Sequence, residues 1–541
     1  MDRRSRFVLL AVLGTGVFLA GLELMVTAVA LPSIVTDLAS WTNLREASWV
    51  INGYLLAYVV TMPLAGRLAD QWGVRRLFHA GLVTFTAGSF LAGLAPSLEL
   101  LIAARLLQAV GGGILVPVGT AAASHLFEAH ARPRALGVIG ALTFLGMAAG
   151  PFVGAWIIGG LHPGAALDGA GLSDGPLRGA LESPWRYVFY VNVPIGIGAL
   201  ALAWAAADGW ETPRRAGRLD VAGAAAFSLA LGLALLATTI AGSDRIGDLD
   251  IDPRQAVLGL AVAAAVAGVV AARRALRHPA PFLDLRLFRS PAFSSAALVS
   301  LLTGYGLATA IIGGAVFVDR VLYGGPDIQR VALGALAAAT AVGALGSGFA
   351  LRVAGLRLVT VAGLILSSVA LVRMGDWKPE TGLGEIAAWL AAFGLGFGLT
   401  VTPRSTAAVE ALGHAAFGVA SAVVTVARMV GMAIGLAALT AFGSTTIDRI
   451  SHEVYATPGA YLQFIPERLR DRPLHDGQVV QALESWAAGE AARILVGIFL
   501  VAAAVTVVAL LPALALRRRR ILAEGAVPDE PAAAAERGGV A

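Results

Sequence analysis

Apolar blocks of about twenty residues recur along the whole chain, and this repetition constrains the fold more than any other feature. A helix needs about twenty apolar residues to cross the hydrocarbon core of a bilayer. Of the 541 residues, 57% are hydrophobic and only 14% are charged, whereas roughly a quarter of a soluble domain is charged. The sequence therefore predicts an all-α membrane protein rather than about three or four soluble domains. The predicted spans are 7–31, 47–66, 78–95, 100–122, 135–159, 187–206, 220–241, 254–272, 293–318, 329–350, 358–375, 384–403, 415–443 and 491–515.

Arginines are concentrated before the first span and in the loops that follow even-numbered spans. Because cytoplasmic loops carry an excess of Lys and Arg, these loops are predicted to lie on the cytoplasmic side. The basic residues at the two chain ends fall on that same side, so both termini are predicted to be cytoplasmic. The clusters are Arg3, Arg4 and Arg6; Arg67, Arg75 and Arg76; Arg132 and Arg134; Arg214, Arg215 and Arg218; Arg273, Arg274 and Arg277; and Arg517 to Arg520.

The loop after the second span combines glycines, an acid and arginines at fixed spacing. It resembles the signature loop of the major facilitator superfamily, G-x-L-a-D-r-x-G-r-k/r. Glycine allows a tight turn between two helices, and Asp70 can accept hydrogen bonds from a neighbouring helix N-terminus or from an arginine. The corresponding loop of the second half, 348–357, has no acid and should hold more weakly. We expect a cytoplasmic latch between the halves, formed by Gly66, Asp70, Gly73, Arg75 and Arg76.

A second pattern of small residues lies in the fifth span. Gly146, Gly150 and Gly154 share one helix face, where a neighbouring backbone can approach closely. Pro151 removes a backbone hydrogen bond and bends the helix. The segment resembles the antiporter motif G-x-x-x-G-P-x-x-G, which in that family marks exporters rather than importers. The resemblance therefore implies export.

Three charged residues stand well away from the ends of the predicted spans, where a charge is costly unless it faces a cavity or a partner. All three lie in segments that resemble motifs of the fourteen-helix drug:proton antiporters. The segment of Glu23 resembles L-D-x-t-i-v-n-v-A-l-P, with Glu in place of the Asp. The segments of Arg105 and Arg428 resemble R-x-x-Q-G-x-G and A-R-x-v-G-x-a-i-G, respectively. Because desolvation disfavours a charged carboxylate, Glu23 is the candidate proton site. We hypothesise that ionised Glu23 pairs with Arg428. The alternatives are a purely structural ion pair for Glu23 and an Arg105 side chain that snorkels to the outer surface.

Other polar and aromatic side chains within the spans are predicted to line a substrate cavity between the halves. They are Thr27, Gln108, Asn52, Tyr54 and Tyr305. The remaining walls are expected to be apolar with few fixed charges. Such a cavity favours lipophilic or amphipathic cargo over sugars or nucleotides.

Segments 185–196 and 281–288 also resemble the drug:proton antiporter-2 family, so the likeness covers nearly the whole chain. It implies a major facilitator fold, with two six-helix bundles related by pseudo-symmetry and two additional linker helices. The predicted parts are an N-terminal bundle (1–206), a linker (207–292), a C-terminal bundle (293–515) and a disordered cytoplasmic tail (516–541). Residues 444–490 are expected to form an extracytoplasmic helical hairpin or, alternatively, a surface loop with one short helix.

The sequence points to secondary transport across a bacterial inner membrane. It contains no G-x-x-x-x-G-K-[ST] phosphate loop and no pattern for catalysis or metal binding, so neither an enzyme nor a cofactor is expected. The favoured function is proton-coupled export of lipophilic or amphipathic compounds, of the multidrug-efflux type. One alternative is export of lipids such as triacylglycerides, with an extracytoplasmic lipid-carrier protein as partner; another is an uncoupled facilitator or channel. The other expected partners are protons and membrane lipids, without nucleic acid, and a monomer is expected.

Overall fold

A computed structural model describes most of the chain, and every regular element in the described part is a helix. Eleven helices there are long and apolar enough to cross a membrane, and two shorter apolar helices, Val221–Ala237 and Val419–Gly435, accompany them. One of the eleven holds two spans joined at Gly355, which completes fourteen crossing segments. The described residues are 3–38, 49–128, 131–169, 176–206, 210, 220–240, 252–279, 281, 283–324, 326–412, 419–435, 438–439, 460–471 and 476–516.

The crossing helices are numbered along the chain. They are α1 (Arg3–Leu38), α2 (Trp49–Trp72), α3 (Val74–Leu94), α4 (Leu98–Leu126), α5 (Arg132–Gly160), α6 (Pro184–Ala205), α7 (Val221–Ile240), α8 (Pro253–Arg277), α9 (Pro291–Asp319), α10 and α11 (the two parts of Pro326–Met374), α12 (Leu383–Leu412), α13 (Val419–Gly435) and α14 (Gly477–Leu514). The connecting segments contain the short helices Pro163–Gly169 and Pro176–Leu181 and the 3-10 turns Leu285–Arg289, Ala460–Phe464 and Glu467–Leu469.

Each predicted span overlaps one of these helices, because a continuous apolar run of membrane length is a local property of the sequence. The largest differences are at two ends that carry polar residues. Helix α12 continues past the predicted end at 403 to Leu412 and so contains Arg404. Helix α14 begins at Gly477 rather than at 491.

The helices pack as two groups of six, with α7 and α8 between them in the chain. Helices α1–α6 contact one another, and α9, α10, α11, α12 and α14 do the same. Helix α7 pairs with α8 and packs against α2, and Arg274 Nε on α8 donates a hydrogen bond to Asp220 Oδ1 at 2.6 Å. The two groups meet where α5 packs against α12 and the Pro326–Met374 helix.

The fifth-span glycines pack α5 against α1 with no room for side chains. A Cβ added at Gly146 would collide with the carbonyl oxygen of Phe18, and one added at Gly21 on α1 would collide with that of Thr143. Gly150 and Gly154 continue the contact, since an added Cβ would lie 2.8 Å from Met25 Cβ and 3.2 Å from the Val26 carbonyl oxygen, respectively. Pro151 lies within α5 in the same stretch. The two helices are thus in backbone contact on both sides of the turn that carries Glu23.

The second group repeats this crossing between α9 and α13. A Cβ at Gly431 would collide with the carbonyl oxygen of Leu301, and one at Gly304 would collide with that of Arg428. The spacing matches the first group residue by residue, as expected for related bundles. The correspondence makes Arg428 the counterpart of Thr143. The related loops also match, because Gly73 and Gly355 both adopt positive φ, at 90° and 79°.

Helix α14 is longer than a bilayer requires. Its first segment, Gly477–Val508, has 32 residues and would span about 48 Å, against about 30 Å for the hydrocarbon core. A small apolar cluster supports its first turns, with Val479 buried against Ile465 and Leu469, and the ring centroids of Phe464 and Trp486 are 4.1 Å apart. This is one arm of the expected hairpin. The other arm, 440–459, and the tail after 516 lie outside the described residues.

Candidate functional site

Glu23 lies at the centre of a buried polar cluster within the first group of helices. Its side chain is fully buried, and Oε1 accepts a hydrogen bond from Arg105 Nη1 on α4 in an ion pair. Oε1 also accepts a hydrogen bond from Thr27 Oγ1 at 2.9 Å, and Oε2 accepts one from Asn192 Nδ2 on α6 at 2.6 Å. Both carboxylate oxygens are engaged, which is the condition under which a charged carboxylate tolerates burial.

Arg105 connects this carboxylate to two further helices, α2 and α3. Its Nη1 donates to Gln108 Oε1 at 2.6 Å, and Gln108 Nε2 donates to Ser89 Oγ on α3 at 2.7 Å. Its Nε donates to the carbonyl oxygen of Val50 on α2 at 3.2 Å, and its guanidinium lies 4.1 Å from the ring centroid of Tyr54. Arg105 is therefore held inside the bundle and does not snorkel to the surface. The Glu23 cluster consists of Glu23, Thr27, Tyr54, Ser89, Arg105, Gln108 and Asn192.

The hypothesis that Glu23 pairs with Arg428 does not describe this structure, in which Arg105 is the ion-pair partner. The Glu23 carboxylate is directed at α4 and α6, which belong to its own group of helices. Arg428 lies on α13 in the other group, with its guanidinium 5.6 Å from the ring centroid of Phe144.

A cavity of about 310 Å³ lies between the two groups of helices. Its wall is mainly apolar, and Asn52 and Tyr58 of α2 contribute polar groups. Leu24 and Met25 also line it, although their neighbour Glu23 points away into the cluster. Only helix α1 therefore lies between the Glu23 carboxylate and this wall of the cavity.

A smaller cavity of about 40 Å³ adjoins the first and shares Thr143, Phe144 and Arg428 with it. Arg404 of α12 and Arg428 of α13 both line this space, and they are only 1% and 9% exposed. Arg404 Nη1 donates to Thr303 Oγ1 at 2.7 Å. Among the described residues neither arginine forms an ion pair, and the Nε of Arg428 has no hydrogen-bond partner. Arg404 and Arg428 are called the arginine pair below.

The signature loop bridges the two groups of helices at the predicted cytoplasmic face. Asp70 Oδ2 accepts a hydrogen bond from the backbone N–H of Val419 at 3.2 Å. Val419 is the first described residue of α13, so this hydrogen bond joins the first group of helices to the second. The positive φ of Gly73 allows the turn into α3. Of the other loop residues, Gly66 is buried, Arg75 is half-buried and Arg76 is exposed.

The five residues predicted to line the substrate cavity are divided among three places. Asn52 lines the larger cavity. Thr27, Gln108 and Tyr54 belong to the Glu23 cluster instead. Tyr305 lies at the α9–α13 crossing, where its carbonyl oxygen faces Gly435.

Sequence reasoning missed four residues of these sites. Asn192 stands in a segment that showed the family resemblance, yet nothing in its spacing indicated a contact with Glu23. Ser89 and Tyr58 gave no signal beyond being polar residues in a span. Arg404 directly follows Pro403, at which the predicted span ended, although the helix continues through that proline.

Comparisons with known proteins agree with this architecture. Residues 13–436 match the family model described as Major Facilitator Superfamily. The chain is 32% identical over 474 residues to a triacylglyceride transporter of Mycolicibacterium hassiacum, covering 85% of this chain and 84% of that protein. It is 28% identical over 453 residues to a multidrug resistance protein B homolog of Mycobacterium tuberculosis, covering 81% and 77%.

Solved structures share the fold at low sequence identity. A bacterial homolog of the human lysosomal transporter Spinster, in an inward-facing and unoccupied conformation, superimposes with a TM-score of 0.58 at 17% identity, covering 95% of this chain and 98% of that one. A proton:xylose symporter gives a TM-score of 0.57 at 14% identity, covering 93% and 95%. The protein is thus a multi-pass membrane transporter with bacterial relatives, not an enzyme, and its chain belongs to the major facilitator superfamily.

Proposed function

We propose that this transporter is a proton-coupled exporter of lipophilic or amphipathic compounds, with Glu23 as its proton site. The observation that carries the proposal is the position of Glu23 on α1. Its carboxylate is sealed in a cluster of hydrogen-bond donors, while the next residues, Leu24 and Met25, line the apolar cavity. A change in the charge of Glu23 therefore acts on the helix that forms the cavity wall.

The cluster indicates how protonation would be coupled to movement. Ionised Glu23 binds Arg105 on α4 and Asn192 on α6 and so holds α1 against both helices. Protonation would remove the ion pair and leave a neutral acid that can keep at most part of this network. In the proposed cycle Glu23 takes its proton from the outer side and releases it to the cytoplasm, while cargo leaves by the opposite route as the two groups rock about the cavity.

The cargo class follows from the apolar wall and from the relatives. The multidrug resistance homolog is consistent with efflux of drug-like compounds, whereas the relatives named triacylglyceride transporters favour a second candidate function, lipid export. For lipid export, the part of α14 that rises above the membrane would offer a contact for an extracytoplasmic lipid-carrier protein. We expect a monomer, since the cavity is formed within one chain.

The test is transport by purified protein in proteoliposomes under an imposed pH gradient. Wild type is compared with Glu23→Gln, using a lipophilic cation and a fluorescent lipid as separate cargoes. We expect gradient-driven movement in wild type and its loss in Glu23→Gln. The cargo that moves decides between drug and lipid export.

A matched control is Glu385→Gln, which removes an exposed carboxylate at the start of α12 and should leave transport unchanged. Cargo movement that is unaffected by both the pH gradient and the Glu23 substitution would contradict proton coupling. It would instead favour an uncoupled facilitator.

A further inference from the structure

The arginine pair concentrates positive charge on one wall of the inter-group space. Arg404 and Arg428 are both buried, and both line the same small cavity. Within the described part of the chain no carboxylate compensates them. Buried charges persist in proteins when a partner neutralises them, and ionisable residues at membrane depth mark substrate or ion pathways. Among the described residues, the arginine pair therefore has no neutralising partner.

The pseudo-symmetry between the groups shows that this charge is not required by the fold. Arg428 occupies the same place at the α9–α13 crossing that Thr143 occupies at the α1–α5 crossing. A threonine suffices at that position for packing. Thr143 and Arg428 also face the same small cavity from opposite groups, so the arginine adds charge where the two groups meet.

The donors that the small cavity offers an anion are the two guanidiniums. The hydroxyls of Thr120, Ser300 and Ser405, which also line it, already donate to backbone carbonyl oxygens at 2.8, 2.6 and 3.1 Å. Guanidinium groups bind carboxylate and phosphate through short, charge-assisted hydrogen bonds. The unpartnered Nε of Arg428 is a free donor in this wall.

We infer that the arginine pair is a binding subsite for the anionic head of an amphipathic cargo, with a carboxylate or phosphate in the small cavity and its apolar body in the larger one. The two cavities share Thr143, Phe144 and Arg428, so a single molecule can occupy both. This inference rests on the proposed export function and narrows its substrate class to lipophilic anions. A free inorganic anion would use only the smaller space.

The experiment measures equilibrium binding by calorimetry, with the full-length protein in lipid nanodiscs and empty nanodiscs subtracted. The probes share one chain length: dodecyl phosphate and dodecanoate are anionic, and dodecanol is neutral. We expect both anions to bind wild type at least about tenfold more tightly than dodecanol, because one charge-assisted hydrogen bond is worth about that factor. Arg404→Gln and Arg428→Gln should each remove most of this preference without changing dodecanol affinity.

Two further variants distinguish an effect of the charge in the small cavity from a general effect of the substitution on the structure. Arg428→Lys keeps the charge and should retain part of the preference. Arg373→Gln removes an exposed arginine on α11 that pairs with Asp376 and should change nothing. Dodecanol binding and gel-filtration behaviour show whether each variant is folded. The comparison of anionic with neutral probes in wild type does not depend on the folding of any variant.

Equal affinity of wild type for dodecyl phosphate and dodecanol would overturn the inference, as would unchanged anion affinity in both glutamine variants. Displacement of dodecyl phosphate by inorganic phosphate at equal concentration would overturn the assignment to an amphipathic anion. Binding requires no gradient, so Glu23→Gln should still bind the anions. If wild type binds the anions but shows no gradient-driven transport, the proposed function alone is contradicted.

Discussion

Glu23 and Arg105 form an ion pair that is sealed on every side. Arg105 is 1% exposed and Glu23 is fully buried. Removing two charges from water is expensive, and their attraction repays the cost only when other hydrogen bonds complete the network. Thr27, Asn192 and Gln108 supply those bonds here. Removing one partner of the ion pair should therefore reduce the stability of the protein more than removing both.

We predict that Arg105→Gln destabilises the protein by about 3–5 kcal/mol, because it leaves the Glu23 carboxylate buried without a counter-charge. The double variant Glu23→Gln with Arg105→Gln should recover much of that loss. The measurement is thermal unfolding in detergent, followed by tryptophan fluorescence. As a control, Glu23→Gln should not rescue Arg428→Gln, because these two side chains do not touch. Equal melting temperatures for Arg105→Gln and the double variant would contradict the coupling.

At the scale of helices, glycine determines how closely α1 and α5 approach. The contact at Gly146 is with backbone atoms of Phe18 and Leu22, not with the end of a flexible side chain. A methyl group cannot be accommodated there unless a helix moves. The same crossing brings α1 to the position where Glu23 reaches α4 and α6, so packing and the proposed proton site depend on one interface.

Gly146→Ala should therefore destabilise the protein by about 1–3 kcal/mol, as overpacking does, and should reduce transport. Gly159→Ala is the matched control on the same helix, because an added Cβ there meets nothing within 4 Å. Alanine is the better helix former, so the control should be neutral or slightly stabilising. Thermal unfolding of both variants checks this, and an equal response in the two would show that helix propensity, not the α1–α5 contact, dominates.

Considering the whole molecule, the sequence predicted the elements better than the contacts between them. Spans and the signature loop are local patterns, so their positions could be predicted from residues close together in the chain. The partner of Glu23 could not, because Arg105 and Arg428 are both arginines at membrane depth and only the three-dimensional packing distinguishes them. Arg404 was missed because the predicted span ended at Pro403, whereas the helix continues to Leu412.

At the predicted cytoplasmic face, Asp70 on the first group accepts a hydrogen bond from the Val419 N–H of α13 on the second. In the proposed cycle the protonated carrier returns to an inward-open state to release its proton. Glu23→Gln imitates protonated Glu23 and removes the ion pair with Arg105, so it should favour opening of this face. A shift from a minor to a dominant inward-open population requires several kcal/mol, which a buried ion pair can supply.

We predict that Glu23→Gln lengthens distances across the predicted cytoplasmic face. The chain has no cysteine, so spin labels can be placed cleanly at Trp72→Cys and Leu358→Cys, which are 54% and 56% exposed. Pulsed electron paramagnetic resonance should show a population with a longer distance between the two labels in Glu23→Gln than in the labelled protein that retains Glu23. Asp70→Asn weakens the hydrogen bond of the latch by about 0.5–1.5 kcal/mol, so it should shift the distribution in the same direction by a smaller amount, and it serves as the positive control. If Asp70→Asn opens this face while Glu23→Gln leaves it closed, the latch governs the conformation independently of Glu23, and coupling through α1 is wrong.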